Sequence, residues 1–156
     1  ESGAYIGSRV TVKNNVLIWQ GIHIEDDVFV GPGVIFTNDR YPRSARMANV
    51  PEVTNRAIEE CWLLSTRICR GSSIGAGVVI MPGLTIGAYA MVAAGTVVTK
   101  SVSSHQLVAG NPGQPKGWAC FCGMGLDQSK EGSWVCKECN KQFQHTADQG
   151  FLVLAD

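Results

Sequence analysis

Apolar residues recur every six positions over the first part of this chain. A first series comprises Ile6, Val12, Ile18, Ile24, Val30 and Phe36. A second series follows four residues behind it and comprises Val10, Val16, Ile22, Val28 and Val34. The phase is lost after Phe36 and returns from Ile68 to Val98. An α-helix repeats about every 3.6 residues and a flat strand every two, so neither explains this spacing.

A sustained period of six predicts a solenoid of short strands and tight corners. Three hexapeptides form one triangular coil, each strand pairs with the strands one coil above and below, and aliphatic side chains fill the interior. Gly7, Gly31, Gly75 and Gly87 follow members of the first series, where a corner needs a residue without Cβ clashes. We therefore predict an all-β parallel β-helix. Its handedness does not follow from the pattern, because parallel crossovers are generally right-handed.

One long segment, residues 37–67, breaks the repeat. It contains Pro42, Pro51, several arginines and few periodic apolar residues, which predicts an external loop. Long loops on compact scaffolds are usually functional. We expect a binding or catalytic role for this segment.

Charge and hydropathy narrow the range of partners. The 156 residues carry 13 basic and 13 acidic side chains, so no positive field attracts nucleic acid or an anionic membrane. No apolar run reaches the length of a membrane span, and the first residues lack the basic and apolar regions of a secretory signal. We expect a cytoplasmic protein whose cysteines are reduced.

Four of the six cysteines form two close pairs near the C-terminus, Cys120 with Cys122 and Cys136 with Cys139. Two such pairs separated by a short polar hairpin suit a tetrahedral four-thiolate zinc site, with His145 as a substitute ligand. Redox pairs or free thiols are the alternative. We predict a zinc-ribbon-like appendage over residues 118–156, following a β-helix domain over 1–117. A closed four-thiolate site implies a structural role.

Three segments carry a resemblance to a known family. They are the loop opening Phe36–Ser44 (FTNDRYPRS), the preceding Ile24–Pro32 (IEDDVFVGP) and the late turn Leu107–Gly113 (LVAGNPG). From Tyr5 to Trp118 the chain resembles the hexapeptide-repeat acyltransferases, and most closely the bacterial nucleotide-sugar N-acetyltransferases that acetylate a 3-amino sugar for surface polysaccharides. The resemblance implies a left-handed β-helix, a homotrimer and acetyl-CoA as cosubstrate.

The resemblance also implies Asn38 as a catalytic residue that orients the acceptor amine, while the departing thiolate takes the proton. Alternatively, Asn38 and Asp39 only form the turn where the chain leaves the coil. His23, between Ile22 and Ile24, is placed at a corner with its ring pointing outward and is the reserve general base. A lone histidine is more often structural.

The loop opening supplies candidate acceptor contacts at Asp39, Arg40, Tyr41 and Arg43. The two arginines can clamp a diphosphate, and the tyrosine can stack on a base or a sugar. Solvated loop charges are the commoner fate of such arginines. The sequence leaves both interpretations open.

The late coils supply the candidate cofactor site. By resemblance, the backbone at Ala76, Ala94 and Gly95 lines the groove for the pantetheine arm of CoA, and Lys100 and Lys116 meet its phosphates. Small corner residues selected only for packing are the alternative. Within the late turn, Gly113 and Gln114 replace the usual Ala and Arg of the family.

Together these features predict a homotrimeric, acetyl-CoA-dependent N-acetyltransferase acting on an amino sugar, with the sugar linked to a nucleotide. An O-acetyltransferase of the same fold is the nearest alternative. It would need a general base, and His23 would serve as that base. A catalytically inactive trimeric scaffold is the alternative from a different class.

Overall fold

The computed structural model describes residues 1–44, 62–129, 132–146 and 150–153. Most of the predicted external loop, residues 45–61, lies outside the described residues. A membrane-crossing helix is not found anywhere in the described ranges. The strands are β1 (Tyr5–Ile6), β2 (Thr11–Val12), β3 (Ile22–Ile24), β4 (Phe29–Val30), β5 (Ile35–Phe36), β6 (Thr66–Ile68), β7 (Ser73–Ile74), β8 (Val79–Ile80), β9 (Thr85–Ile86), β10 (Met91–Val92), β11 (Val97–Val98), β12 (Gln106–Ala109), β13 (Gln114–Trp118), β14 (Asp127–Gln128), β15 (Trp134–Val135), β16 (Gln142–Thr146) and β17 (Gly150–Val153).

The strands of the repeat stack into three faces. The first face has the order β1-β3-β6-β9, the second β13-β12-β10-β7-β4-β2 and the third β11-β8-β5. Tyr5 pairs with His23 and Ile6 with Ile24 in a parallel register, so one coil takes 18 residues, or three hexapeptides. The predicted parallel β-helix is confirmed.

Both apolar series point into the β-helix. Ile24, Ile68 and Ile86 are fully buried and follow one another up the first face. In the first coil, which is packed on one side only, Ile6 and Val12 remain 49% and 38% exposed. Burial of the stacked aliphatic side chains is the main stabilising contribution in this part of the chain.

Corners of the coils follow two backbone rules. The third residue after each interior position of the first coils adopts a positive φ, as at Arg9, Asn15 and Asp27. At some corners the residue directly after the interior position has no room for a side chain: a Cβ on Gly75 would lie 2.5 Å from the Ala94 nitrogen. The corner clash predicted for Gly75 is therefore confirmed, and it comes from the backbone of the next coil.

The β-helix ends in a hairpin that leads into the appendage. Strand β12 is the last parallel strand of the second face, and β13 pairs antiparallel with it as the sheet edge. Strands β14 to β17 form a separate antiparallel sheet with its own buried cluster of Cys120, Leu126, Cys136 and Phe143. The predicted division at residues 117 and 118 falls inside β13 and stays a prediction.

Candidate functional site

Asn38 lies where the chain leaves the coil, directly after β5. Its Nδ2 donates to the backbone oxygen of Gln20 at 3.1 Å, and its own backbone oxygen accepts from the Leu64 amide at 2.9 Å. A backbone oxygen only accepts, so the amide nitrogen is the end that faces Gln20. The side chain is thus fixed at the base of the loop, and its Oδ1 is the end that remains for a ligand.

The next residues complete the exit turn. Asp39 forms an antiparallel bridge with Leu63, and its Oδ1 accepts from the Tyr41 amide at 3.0 Å. This is the side-chain-to-backbone bond of an Asx turn. Asn38 and Asp39 therefore do form the exit turn, and the catalytic role of Asn38 stays a prediction.

The predicted acceptor residues lie on the outside of this turn. The Arg40 guanidinium lies 5.3 Å from the centre of the Tyr41 ring, and Arg43 Nη1 donates to the Pro42 oxygen at 2.9 Å. Arg40, Tyr41 and Arg43 are exposed, and Asp39 is half-buried. A cleft of about 380 Å³ opens beside them and is lined by Arg40, Leu64, Met81, Pro82, Gly83, Leu84 and Thr99.

His23 lies in the middle of β3, so its predicted corner position is wrong. Residues alternate between the two faces of a strand, and Ile22 and Ile24 point inward, which turns His23 outward as expected. Its ring stacks on Tyr5 with 4.3 Å between ring centres. The two rings line an open cleft of about 190 Å³ with Glu25, Asp26 and Arg70.

Ion pairs organise the charged wall of this cleft. Glu25 accepts from Arg67 Nε at 2.6 Å and from the Arg70 amide at 2.8 Å. Burial opposes ionisation of Glu25, but these hydrogen bonds outweigh it, and its pKa is lowered. Hydrogen bonds from Arg9 lower the pKa of Asp27 in the same way, against some desolvation. Both carboxylates are therefore ionised partners of arginines.

The predicted cofactor residues meet at one corner, between the second and third faces. Gly95 donates its amide to the Ala76 oxygen at 2.8 Å, which stacks the corners of two successive coils. Ala76, Ala94 and Gly95 are all exposed, and a Cβ on Gly95 would meet nothing within 4 Å. The backbone along this corner is accessible to a thin ligand. The positive φ of 71° at Gly95 is also a sufficient structural reason for glycine there.

Asn38 and this corner flank the third face from opposite edges. Asn38 follows β5, whereas Ala94 and Gly95 precede β11 of the same face. One chain therefore does not bring the two candidate sites together.

A larger cleft of about 500 Å³ lies at the end of the β-helix, and Lys100 is part of its wall. Strand β13 contributes Gln114 and Pro115 to the opposite side, and Lys116 follows them in that strand. The remaining lining residues are Val98, Thr99, Ser101, Val102, Ser103, Gln106, Val108, Pro112 and Gly113.

Gly113 stands where the resemblance implies an alanine, and the packing around it favours glycine. A Cβ on Gly113 would lie 2.9 Å from Thr96 Cγ2 and 2.9 Å from Val108 Cγ1. Real Cβ atoms do not approach this closely, so alanine would push the turn outward. The glycine lets the turn lie close on the last coil.

The four C-terminal cysteines converge. The sulfurs of Cys120 and Cys139 are 3.4 Å apart, those of Cys122 and Cys136 are 3.5 Å apart, and all four lie within 4.8 Å of one another. Tetrahedral Zn–S bonds of about 2.3 Å place the sulfurs about 3.8 Å apart, so the cluster fits zinc. His145 is not part of it: its exposed ring packs 4.9 Å from Trp118.

Cys136 and Cys120 differ in how readily their thiols ionise. Amide hydrogen bonds from Cys139 and Glu138 lower the pKa of Cys136 to about 7. Desolvation raises the pKa of Cys120 to about 12. A divalent cation would stabilise the thiolate that burial disfavours at Cys120. The donor set is therefore suited to a metal rather than to free thiols.

Sequence reasoning missed His105. The residue has a positive φ of 61°, is 5% exposed, and its Nδ1 lies 2.8 Å from the Ala119 oxygen. Desolvation lowers its pKa, so the ring is neutral and donates to Ala119. No sequence signal separated His105 from the other two histidines, because its hydrogen-bond partner Ala119 and its ring contacts Phe121 and Phe143 come from the appendage.

The architecture defines a hexapeptide-repeat β-helix protein. Residues 65–100 match the family model described as bacterial transferase hexapeptide (six repeats). A solved hexapeptide-repeat acetyltransferase of Vibrio cholerae in complex with acetyl-CoA is 29% identical, with a TM-score of 0.59, over 75% of this chain and 61% of its own. The predicted resemblance to this family and the left-handed β-helix are thereby confirmed.

Two further proteins bear on the acceptor. A 3-N-acetyltransferase of dTDP-3-amino-3,6-dideoxy-α-D-galactopyranose from Aneurinibacillus thermoaerophilus is 42% identical over 80 residues, which are 51% of this chain and 41% of that protein. A maltose O-acetyltransferase of Clostridium difficile is 25% identical, with a TM-score of 0.60, over 74% of this chain and 58% of its own. The chain thus spans less than two thirds of these proteins.

Proposed function

We propose that this protein transfers an acetyl group from acetyl-CoA to the amino group of a nucleotide-linked amino sugar used in surface polysaccharide synthesis. The observation that carries the proposal is the 42% identity to a nucleotide-sugar 3-N-acetyltransferase over 80 residues. The position of Asn38 supports it, because its amide is held at the base of the external loop.

The chemistry follows from the fixed amide. Asn38 Oδ1 accepts a hydrogen bond from the neutral acceptor amine. This bond orients the lone pair of the amine nitrogen toward the thioester carbon. The amine nitrogen forms the new amide bond as the carbon–sulfur bond breaks, and the departing thiolate takes the proton. This route needs no strong general base. Arg40 and Tyr41 at the loop exit would contact the nucleotide part of the acceptor.

The cosubstrate would lie along the exposed corner of Ala76, Ala94 and Gly95. Lys100 and Lys116, near the large cleft at the end of the β-helix, would meet its phosphates. The open backbone at Gly95 supports this placement. Because Asn38 lies across the third face, the acetyl group would reach it from a neighbouring chain.

We propose a homotrimer for the same reason. An outward-facing apolar column on the third face joins Leu17, Ile35, Val79 and Val97 through direct strand pairing. Leu17 is 62% and Ile35 is 53% exposed in the single chain. A column of this kind suits burial against another copy, and three copies close the symmetry.

We further propose that the four cysteines hold structural zinc in a ribbon-like appendage, and that the protein works in the cytoplasm. The sulfur spacings support the metal. A reducing compartment keeps such thiolates available for it.

O-acetyl transfer is the second candidate. A hydroxyl acceptor needs a base, and His23 is outward-facing and oriented by its stack on Tyr5. The similarity to a maltose O-acetyltransferase favours this candidate. His23→Gln would abolish hydroxyl transfer but leave amine transfer largely intact.

The test is a thiol-release assay with acetyl-CoA and dTDP-linked 3-amino sugars. We expect wild-type release and its loss in Asn38→Ala, with CoA affinity unchanged by calorimetry. Asn14→Ala, the same substitution at an exposed corner of the first coil, is the matched control and should keep activity. Absence of CoA binding by the wild type would contradict the proposal and favour an inactive scaffold.

A further inference from the structure

Strand β13 links the four-cysteine cluster to the large end cleft. Its first residues, Gln114 and Pro115, line that cleft, and its last residue, Trp118, stacks on Phe151 of the appendage with 4.4 Å between ring centres. Only Ala119 separates the strand from the first cysteine, Cys120. A displacement at the cluster is therefore carried directly into the cleft wall.

This strand has little stability of its own. It is the edge of its sheet and pairs only with β12. Gln114, Pro115 and Lys116 are exposed, Pro115 cannot donate to the ladder, and Gly117 has no side chain to pack. An edge strand with so few buried side chains gains little free energy from packing. The Gly113 amide donates to the Val97 oxygen at 2.8 Å and anchors the turn before β13, whereas the opposite end of the strand meets the appendage.

Two hydrogen bonds to His105 fix that opposite end. The Ala119 amide donates to the His105 oxygen at 2.7 Å, and His105 Nδ1 donates to the Ala119 oxygen at 2.8 Å. Both residues are almost fully buried. The appendage covers this pair, because the His105 ring lies 4.7 Å from Phe121 and 5.3 Å from Phe143.

The appendage in turn depends on its metal. The buried members of its cluster are Cys120, Leu126, Cys136 and Phe143, and two of these are ligands in the proposed zinc site. Segments this small do not bury enough apolar surface to fold unaided. Binding of a structural zinc supplies the missing folding free energy.

We infer that zinc loading of the four cysteines positions strand β13 through Ala119 and His105, and so sets the shape of the end cleft. The inference rests on the proposed function only for the ligand of the cleft, the phosphates of CoA. His105 is a positioning residue in this arrangement. Zinc is a distal determinant of cofactor binding and takes no part in the transfer.

The test compares zinc-loaded, chelated and reloaded protein by hydrogen exchange and by calorimetry. In the zinc-free protein, we expect β13 amides to exchange about tenfold faster or more, and the affinity for 3′-phosphoadenosine 5′-phosphate to fall about tenfold. Exchange in β7 and β8 should not change. Zinc should restore both properties.

Variants separate the metal from the strand. The double variant Cys122→Ser, Cys139→Ser should behave as the chelated protein does, and Cys69→Ser, a cysteine outside the cluster, should behave as wild type. His105→Asn keeps a residue that tolerates the positive φ, so it should retain one zinc per chain in a thiol-displacement assay but lose β13 protection.

The outcomes are distinct. Unchanged β13 exchange and fragment affinity without zinc would overturn the inference. Zinc-loaded His105→Asn with wild-type β13 exchange would overturn the role of His105. If the zinc-loaded wild type binds neither CoA nor its fragment while zinc still protects β13, the proposed function fails and the coupling of metal to strand stands.

Discussion

The β-helix and the appendage are stabilised in different ways. The β-helix buries a continuous column of aliphatic side chains, and each coil repeats the contacts of the coil before it. Among its described residues, the appendage has one apolar cluster with four buried members, two of them cysteines, packed against aromatic rings. Stability in the first region is distributed over many equivalent contacts, whereas in the second it is concentrated in a few. Single substitutions should therefore have local effects in the β-helix and affect the whole appendage.

The largest effect is expected for Phe143→Ala. Phe143 is fully buried and contacts the rings of His105, Phe121 and Phe151. Removing a core phenylalanine costs about 3 to 5 kcal/mol, which exceeds what so small a core can lose. We expect zinc release and a loss of near-UV signal from Trp118 and Trp134, with the far-UV spectrum of the β-helix retained. Retention of zinc at wild-type affinity would contradict the view that the stability of the appendage is concentrated in a few contacts.

Ile74→Ala tests the distributed core. The side chain is 0% exposed at the centre of the second face, so its loss should cost about 2 to 5 kcal/mol of unfolding free energy. Denaturant titration measures the change, and zinc affinity should not move. Ser73→Ala, the outward-facing neighbour in the same strand, is the matched control. A larger effect on the appendage than on the β-helix would refute distributed stability.

Thr96→Val should stabilise the β-helix. The Thr96 hydroxyl is buried in the coil interior and has no hydrogen-bond partner among the described residues. Valine has nearly the same shape and removes an unsatisfied polar group, so a gain of about 1 kcal/mol is expected. A higher midpoint in thermal unfolding would show it. A loss of stability would mean that this hydroxyl makes a hydrogen bond in solution.

The smallest effect is expected at the Glu25–Arg67 ion pair, where the Arg67 side chain is 60% exposed. The folded-state pKa of Glu25 is lowered, so its contribution is present above its unfolded pKa and is lost as pH falls through the folded value. Glu25→Gln should lower stability by less than about 1 kcal/mol at neutral pH and by nothing in strong acid. Unfolding curves at both pH values, with and without salt, measure this. A difference that persists in acid would rule out an ionic cause.

The periodic part of the fold was predictable because each side-chain position repeats. The six-residue spacing of Ile24, Val30 and Phe36 identified the interior, and the glycines after interior positions identified the corners. Handedness required the family resemblance, since the winding direction leaves no mark on a six-residue apolar pattern.

The candidate sites were predictable only in part. The cysteine spacing identified the cluster because ligand chemistry requires nearby sulfurs. The contact of Asn38 with the Gln20 oxygen and the burial of His105 were not predictable, because each depends on residues far away in sequence. His23 was misplaced at a corner because the apolar period locates interior positions but does not separate strand centres from turns.

The external loop leaves and rejoins the β-helix at nearly the same point. Asn38 and Leu64 share a backbone hydrogen bond, and Asp39 pairs with Leu63. Thr66 begins the next coil. Its amide donates a hydrogen bond to the Gly21 oxygen in the coil below. The segment between these contacts is therefore an insertion whose two ends lie close together on the β-helix. We expect loops of other lengths and compositions to be accepted at this junction without redesign of the coils.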